Sequence, residues 1–207
     1  MKRFCHLLAG ACLAALLLQA CSAVPERIAE EPGWLERYES RAADLGALSG
    51  WALQGKLGVS DGNDGGSGKL RWQENGESSR MDFHGALGRG AWRLVSEPGG
   101  AELELADGRS YRAGTVGELV RGQLGWTVPV EALSWWVLGL EAPGPVARRN
   151  LSEDGTLVFL EQQGWRIEYG RYRRVGEAML PAKLTARQDD KTVKLAVSKW
   201  SLDRSRD

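Results

Sequence analysis

From residue 51 to residue 111, apolar side chains fall on every second position in run after run. Trp51, Leu53, Leu57 and Val59 alternate with polar or small residues, as do Leu70 and Trp72, Met81 and Phe83, Trp92 and Leu94, and Leu103 and Leu105. A period of two is that of a half-buried β-strand, because successive side chains of a strand point to opposite faces. The segments between the runs are short and rich in turn-forming residues: 61–66, Asn75-Gly76, 85–90, Gly99-Gly100 and Asp107-Gly108, the last leading to Tyr111. The pattern returns at Leu157 and Phe159, at Trp165, Ile167 and Tyr169, at Leu180 and Leu184, and at Val193, Leu195 and Val197. Roughly ten strands joined by turns this short lie antiparallel to their neighbours.

Three stretches change period. Over 33–48, Leu35, Tyr38, Ala42 and Leu45 recur at spacings of three and four, which predicts a helix ended by Gly46 and Gly50. Thr115 and Glu118 have capping-box spacing, and Val116, Leu119, Val120 and Leu124 form one apolar face behind them. Pro129 suits the first turn of a third helix carrying Val130, Leu133, Trp136, Val137 and Leu140, with Gly139 near its end and Pro143, Gly144 and Pro145 in the loop beyond. The expected class is mainly β with helices (α+β), a strongly curved sheet whose open side the helices plug.

The N-terminus has a different logic. Lys2 and Arg3 precede an apolar run that ends at Ala20, the arrangement of a secretory signal peptide over 1–20. The run is short for a bilayer that needs ~20 spanning residues. Cys21 at the cut resembles the lipobox of bacterial lipoproteins, in which that Cys carries the acyl chains. Residues 21–32 then form the lipidated Cys and a polar tether containing Pro25 and Pro32, and 33–207 form a single domain. Cleavage removes Cys5, Cys12 and His6, leaving Cys21 and His84 as the last of their kinds. It also takes the basic count from 27 to 25 against 27 acidic residues, since Lys2 and Arg3 are lost. A near-neutral chain gives no electrostatic case for nucleic acid. All nine Trp lie beyond the signal peptide, a large aromatic content to bury or to present to something apolar.

Catalytic and metal-binding patterns are weak. His84 beside Phe83 is the one imidazole available to a Ser-His-Asp site, and a hydrogen-bonded or exposed His is the ordinary reading there. Ser67 lacks the Gly two residues later that a nucleophile elbow requires, since Lys69 stands there. The Asp61 loop opens like a calcium loop, but Gly65 replaces an oxygen ligand and Trp72 stands in the place of the closing Glu. Glu102 and Glu104 alternate with Leu103 and Leu105 and read as the wet face of a strand. Gly88-Arg89-Gly90 does not continue as a dinucleotide fingerprint, because Arg93 replaces the third Gly. The basic cluster 171–174 reads as a solvated strand end or turn, with anionic headgroups or an acidic partner as the alternative. No cofactor and no enzyme activity are expected. Leu87, between Gly85 and Gly88, either folds back under the sheet or projects an aliphatic group toward a membrane or a ligand.

Together these segments resemble the LolB family of outer-membrane lipoprotein receptors. The resemblance rests on Gly50-Trp51-x-Leu53-x-Gly55-Lys56-Leu57, Ser67-Gly68-x-Leu70-x-Trp72, Ala86-Leu87-Gly88 and Gly125-Trp126-x-x-Pro129-Val130-x-x-Leu133-x-x-Trp136-x-x-Gly139-Leu140. It continues through Gly164-Trp165-x-Ile167-x-Tyr169-x-x-Tyr172, Leu180-Pro181-x-Lys183-Leu184 and Trp200. Ala86 and Glu141 depart from it, where relatives often carry Pro. The resemblance implies an incomplete antiparallel β-barrel of about ten or eleven strands, with three helices as a lid over an apolar cavity. It implies an outer-membrane receptor, anchored through Cys21 and facing the periplasm. Such a receptor accepts lipoproteins from the periplasmic carrier LolA, holds their acyl chains and releases them into the inner leaflet among outer-membrane phospholipid. The membrane-delivery leucine maps to Leu87, and a monomer is expected.

The candidate cavity-lining residues are Trp51, Leu53, Trp72, Phe83, Trp92, Leu103, Leu105 and Trp136. A closed dry core would use the same residues, and alternation does not separate the two. The rival functional reading is a lipoprotein that carries phospholipid or another amphiphile; a lipid esterase working through His84 and a structural envelope protein rank below it.

Overall fold

A computed structural model describes residues 32–62, 64–85 and 90–204. Helix α1 (Pro32–Gly46) leads into β1 (Leu48–Ser60), β2 (Gly65–Asn75), β3 (Ser78–Gly85), β4 (Trp92–Glu97), β5 (Gly100–Leu105) and β6 (Ser110–Ala113). Helices α2 (Val116–Leu124) and α3 (Val130–Val137) follow. The chain then returns through β7 (Val146–Leu151), β8 (Leu157–Gln162), β9 (Trp165–Val175), β10 (Ala178–Gln188) and β11 (Lys191–Arg204).

The strands form one sheet in the order β6-β5-β4-β3-β2-β1-β11-β10-β9-β8-β7, and every neighbouring pair is antiparallel. It consists of two meanders zipped together where β1 meets β11. Edge strands β6 and β7 do not pair with each other, so the barrel is incomplete. The α2–α3 segment is the connection between those two edges, so it crosses the open side of the curved sheet.

Local chemistry sets the helix ends. The Thr115 hydroxyl accepts from Glu118 N–H at 3.2 Å, while the Glu118 carboxylate accepts from Gly114 N–H at 3.1 Å. Two orphan donors at the start of α2 are thereby satisfied. Gly125 stops the helix in the left-handed region at φ 70°, and its N–H returns to the Val120 carbonyl. The α1 stripe falls as its spacing requires: Tyr38 and Leu45 are buried, and Leu35 and Ala42 pack against the core.

Two local expectations are adjusted. The 61–66 loop is shorter than the sequence suggests, because β2 begins at Gly65. Phe159 does not share a face with Leu157. A register shift between Asn150 and Leu151 turns Leu160 inward beside Leu157, and Phe159 lies outside with the Arg148 guanidinium 4.5 Å from its ring centroid.

Candidate functional site

The inner face of the sheet is mainly apolar, and this follows from side-chain parity. Cross-strand register places Leu53 opposite Trp72, Trp72 opposite Met81, Phe83 opposite Trp92, and Leu94 opposite Leu103. On this face, or beneath the helices that cover it, Trp51, Leu53, Trp72, Phe83, Trp92, Leu103 and Trp136 are all buried. Leu105 is half-buried against the same core. The structure therefore gathers every described candidate into one hydrophobic core, seven on the sheet and Trp136 on the α3 roof. Cys21 and Leu87 lie outside the described residues.

Two aromatic clusters occupy opposite ends of this surface. At the end holding the start of β1, Trp51 packs against Trp72 and Trp200, with ring centroids 5.3 and 5.7 Å apart. At the end where β3 leads toward residue 87, Phe83 stacks on Trp92 at 5.3 Å and 15°, and Trp126 meets both rings edge-on at 6.3 and 6.0 Å. Trp126 comes from the α2–α3 connection, so this second cluster joins sheet to roof.

The indole N–H groups separate the clusters further. Trp72 Nε1 donates to Glu74 Oε1 at 2.7 Å, Trp200 Nε1 to the Pro181 carbonyl at 3.0 Å, and Trp136 Nε1 to Gln162 Oε1 at 2.9 Å. Trp92 Nε1 is buried and has no partner, the one such side-chain atom among the described residues. An unpaired buried donor is unfavourable by about 1–3 kcal/mol. Burial holds the Glu74 carboxyl above the usual carboxylate range, against the lowering effect of its bonds from Ser79 and Trp72.

The two halves of the roof are attached in different ways. The segment running from α3 to residue 142 is held by polar groups. Gln162 Oε1 accepts from Ala142 N–H at 2.9 Å as well as from Trp136, and its Nε2 donates to the Ala142 carbonyl at 2.7 Å. Arg41 donates to the carbonyls of Gly139 (2.9 Å), Met179 (3.0 Å) and Leu138. Tyr169 Oη donates to the Trp136 carbonyl at 3.1 Å, and Tyr38 Oη accepts from Glu141 N–H at 2.9 Å. A Pro at 141 would have no N–H to offer Tyr38. Burial lowers the Arg41 pKa and raises those of Tyr169 and Tyr172, the signs expected where water is excluded. Gly139 is required at its place: φ is 73°, and a Cβ would lie 2.6 Å from Tyr172 Oη.

Helix α2, in contrast, rests on β5 and β6 through Val116, Leu119 and Val120. Among the described residues its one hydrogen bond to another element goes from Gly117 N–H to Glu131 on α3, at 3.1 Å. The roof is thus bolted by hydrogen bonds on the β7–β9 side and held by apolar contact on the β4–β6 side.

Sequence reasoning missed Gln162 and Arg41, and quoted Trp126 without placing it against Phe83 and Trp92. Arg41 had a signal, since it lies three residues after Tyr38 and four before Leu45, on the buried stripe. Gln162 had a weaker one, as a polar residue closing an apolar strand. The described residues contain no group of three or more His, Cys, Asp or Glu able to hold a metal, and no helix long and apolar enough to cross a membrane.

An open antiparallel half-barrel whose apolar inner face is covered by helices defines the structural class. It is shared with a solved domain described as an outer-membrane lipoprotein-sorting protein from Vibrio parahaemolyticus: TM-score 0.54 and 9% identity, over 84% of this chain and 93% of that one. In sequence, the family described as "Outer membrane lipoprotein LolB" matches residues 49–200. The outer-membrane lipoprotein LolB of Stutzerimonas stutzeri is 35% identical over 190 residues, 91% of this chain and 92% of the relative. Those of Pseudomonas putida and Pseudomonas aeruginosa are each 37% identical over 185 residues, 89% of this chain and 90% of the relative. The chain belongs to the LolB family of outer-membrane lipoproteins.

Proposed function

We propose that this protein is the outer-membrane receptor of lipoprotein localisation. It takes lipoproteins from the periplasmic carrier LolA, holds their acyl chains against the inner face of the sheet and releases them into the inner leaflet. Residues 33–207 act as one binding unit, tethered through 21–32 to a lipid on Cys21 and facing the periplasm. The reaction is transfer without bond making or breaking, so the chain works as a receptor and not as an enzyme.

The observation that supports this reading is the unequal attachment of the roof over a continuous apolar face. An acyl chain is apolar along its whole length, and burying it stabilises by ~0.8 kcal/mol per CH₂. A guest of that kind needs an apolar surface that can be uncovered without breaking buried hydrogen bonds. Lifting α2 and Trp126 away from Phe83 and Trp92 meets that requirement, while α3 stays fixed by Gln162 and Arg41. Cargo then enters between β4–β6 and α2, at the end of the sheet from which residue 87 follows. Leu87 is assigned the delivery step, in which its side chain enters the target leaflet.

The test is transfer in vitro. The protein, incubated with radiolabelled lipoprotein loaded on the carrier, acquires the acylated protein, and added liposomes then receive it. Leu87→Glu leaves the first step intact and slows the second at least tenfold. Capture of phospholipid without acylated protein supports the amphiphile carrier in place of the receptor. Equal delivery by the Leu87→Glu protein removes the role given to that residue.

A further inference from the structure

The outer face of β1, β2, β3 and β11 gathers positive charge that the fold itself leaves unneutralised. Cross-strand register sets Lys56 directly opposite Lys69, Lys69 opposite His84, and Gln54 opposite both Arg71 and Lys199. Lys194 stands opposite Gly58, two residues along β1 from Lys56. All of these side chains are exposed. Like charges placed directly across a strand pair are destabilising, so nothing in the fold itself favours Lys56 facing Lys69.

Of these, Gln54, Lys56, Lys69, Arg71 and His84 line an open hollow of about 1140 Å³. Its walls carry five cationic side chains, Lys56, Lys69, Arg71, Arg80 and Arg93, and one carboxylate, Asp82. That carboxylate is already shared by Arg80 at 2.9 Å and Arg93 at 2.8 Å. Lys56, Lys69 and Arg71 meet no carboxylate among the described residues. Ser67, a small residue on the same outward parity as Lys69, leaves room for an anionic group to approach the strands.

Lys183 and Arg171 continue this row across β10 and β9, while elsewhere on the outer face cations are paired. On β7–β10, Arg148 and Arg166 share Glu161, and Arg187 meets Glu168 at 2.8 Å. At the other edge Arg112 pairs with Glu102. The whole chain has a formal net charge of zero, so the charge on β1–β3 and β11 is segregation and not a general excess.

We infer that this face is a docking surface for the phosphate groups of anionic phospholipid, by which the domain lies against its membrane. Three observations select this occupant. The cations form an exposed array along several strands, which suits a surface of many headgroups better than one buried anion. The hollow ends at His84 and Gly85, so it leads directly to the β3–β4 connection that carries Leu87. The chain is an outer-membrane lipoprotein, so a phospholipid surface lies within its reach. Electrostatic adhesion of this kind contributes for each Lys or Arg near an anionic surface and decays within a Debye length. The surface is independent of the receptor role, since a protein that transferred no cargo would still dock through it.

The test uses the full-length lipidated protein in nanodiscs, with amine acylation read at each lysine by mass spectrometry. With phosphatidylglycerol in the disc, Lys56, Lys69 and Lys194 react about fivefold more slowly than in discs of phosphatidylcholine alone, a factor set by one cation's attraction to an anionic surface. Lys191, at the β10–β11 turn and on the opposite side-chain parity from Lys194, reacts equally in both, and high salt removes the difference. The double variant Lys56→Gln, Lys69→Gln also loses the protection of Lys194. Equal reactivity in the two discs overturns the proposal, including the case in which an acidic protein shields these lysines. Protection by inorganic phosphate alone, in phosphatidylcholine discs, overturns it too, because that marks an isolated anion site. Lipoprotein transfer measured on the same preparations reports separately on the receptor reading.

Discussion

Gln162 is the strongest single test of how the roof is held. Its side chain is 1% exposed and makes three hydrogen bonds of 2.7–2.9 Å, two to Ala142 and one to Trp136. Gln162→Leu preserves most of the volume but leaves Trp136 Nε1, Ala142 N–H and the Ala142 carbonyl facing an aliphatic side chain. Each buried group left unpaired is unfavourable by about 1–3 kcal/mol. The buried leucine side chain returns part of this, as apolar burial is favourable by ~25 cal/mol per Å². The expected net loss is therefore about 3–5 kcal/mol. At a urea dependence of roughly 2 kcal/mol per molar, the unfolding midpoint falls by about 2 M. Hydrogen exchange should quicken at residues 138–142 and in α3, while β1, β2 and β11 keep their protection until global unfolding. A midpoint shift equivalent to less than about 1 kcal/mol, with α3 exchange unchanged, would mean that apolar packing alone holds this half of the roof, and the contrast with α2 would fall.

Three further substitutions probe the same surface from other sides. Trp92→Phe keeps a ring to stack on Phe83 and deletes the unpartnered N–H, so its stability should stay within about 1 kcal/mol of the parent; Trp136→Phe breaks the bond to Gln162 and should lose about 2–4 kcal/mol. Equal losses at the two positions in urea unfolding would show that the Trp92 N–H is satisfied in solution. Glu74→Gln should be more stable than the parent at neutral pH. Burial raises the folded pKa of Glu74, so the favourable contribution is present below the unfolded value of about 4.3 and lost as pH rises through the folded one. The amide oxygen can still accept from Trp72 and Ser79, so the advantage should shrink as the pH drops toward 4; an advantage that does not vary with pH refutes the assignment to Glu74.

Much of this architecture is readable because parity is a local property. Trp51, Leu53, Trp72, Phe83, Trp92 and Leu103 declare their common face through the residues next to them, and antiparallel order follows from the short turns between their strands. The capping pair Thr115 and Glu118 and the stops at Gly125 and Gly139 are equally local. What escaped the sequence depends on partners far along the chain. Gln162 is a roof bolt because Trp136 lies 26 positions earlier, and Arg41 is one because Gly139 lies 98 positions later. The Phe159 exchange with Leu160 needed a register shift that no alternation rule contains. The basic outer face was hidden for the same reason. The sequence draws the eye to Arg171, Arg173 and Arg174, adjacent in the chain, whereas Lys56, Lys69 and Lys194 become neighbours only when β2 and β11 flank β1. Alternation also treats a lining and a dry core alike, and so does the burial of these side chains in one cluster.

The unequal fastening of the roof bears on energetics in the proposed cycle. Lifting the α2 side uncovers Val116, Leu119 and Val120 on the helix, Trp126 just beyond it, and Phe83 and Trp92 beneath. At about 1.5–3 kcal/mol for each large side chain brought fully into water, six such residues set an upper bound of roughly 9–18 kcal/mol. A single acyl chain of ~16 carbons gains on the order of 13 kcal/mol when its CH₂ groups leave water. One chain therefore nearly balances the opening, and the two or three chains of a lipoprotein exceed it. The guest also re-covers the surface that the helix leaves, which lowers the real requirement. Freeing α3 as well would add the unpaired groups of Gln162 and Arg41, which a hydrocarbon guest has no donors or acceptors to satisfy. An apolar hinge side and a hydrogen-bonded fixed side are thus what an apolar cargo requires, and neither nucleotide nor metal is needed to drive the exchange between them.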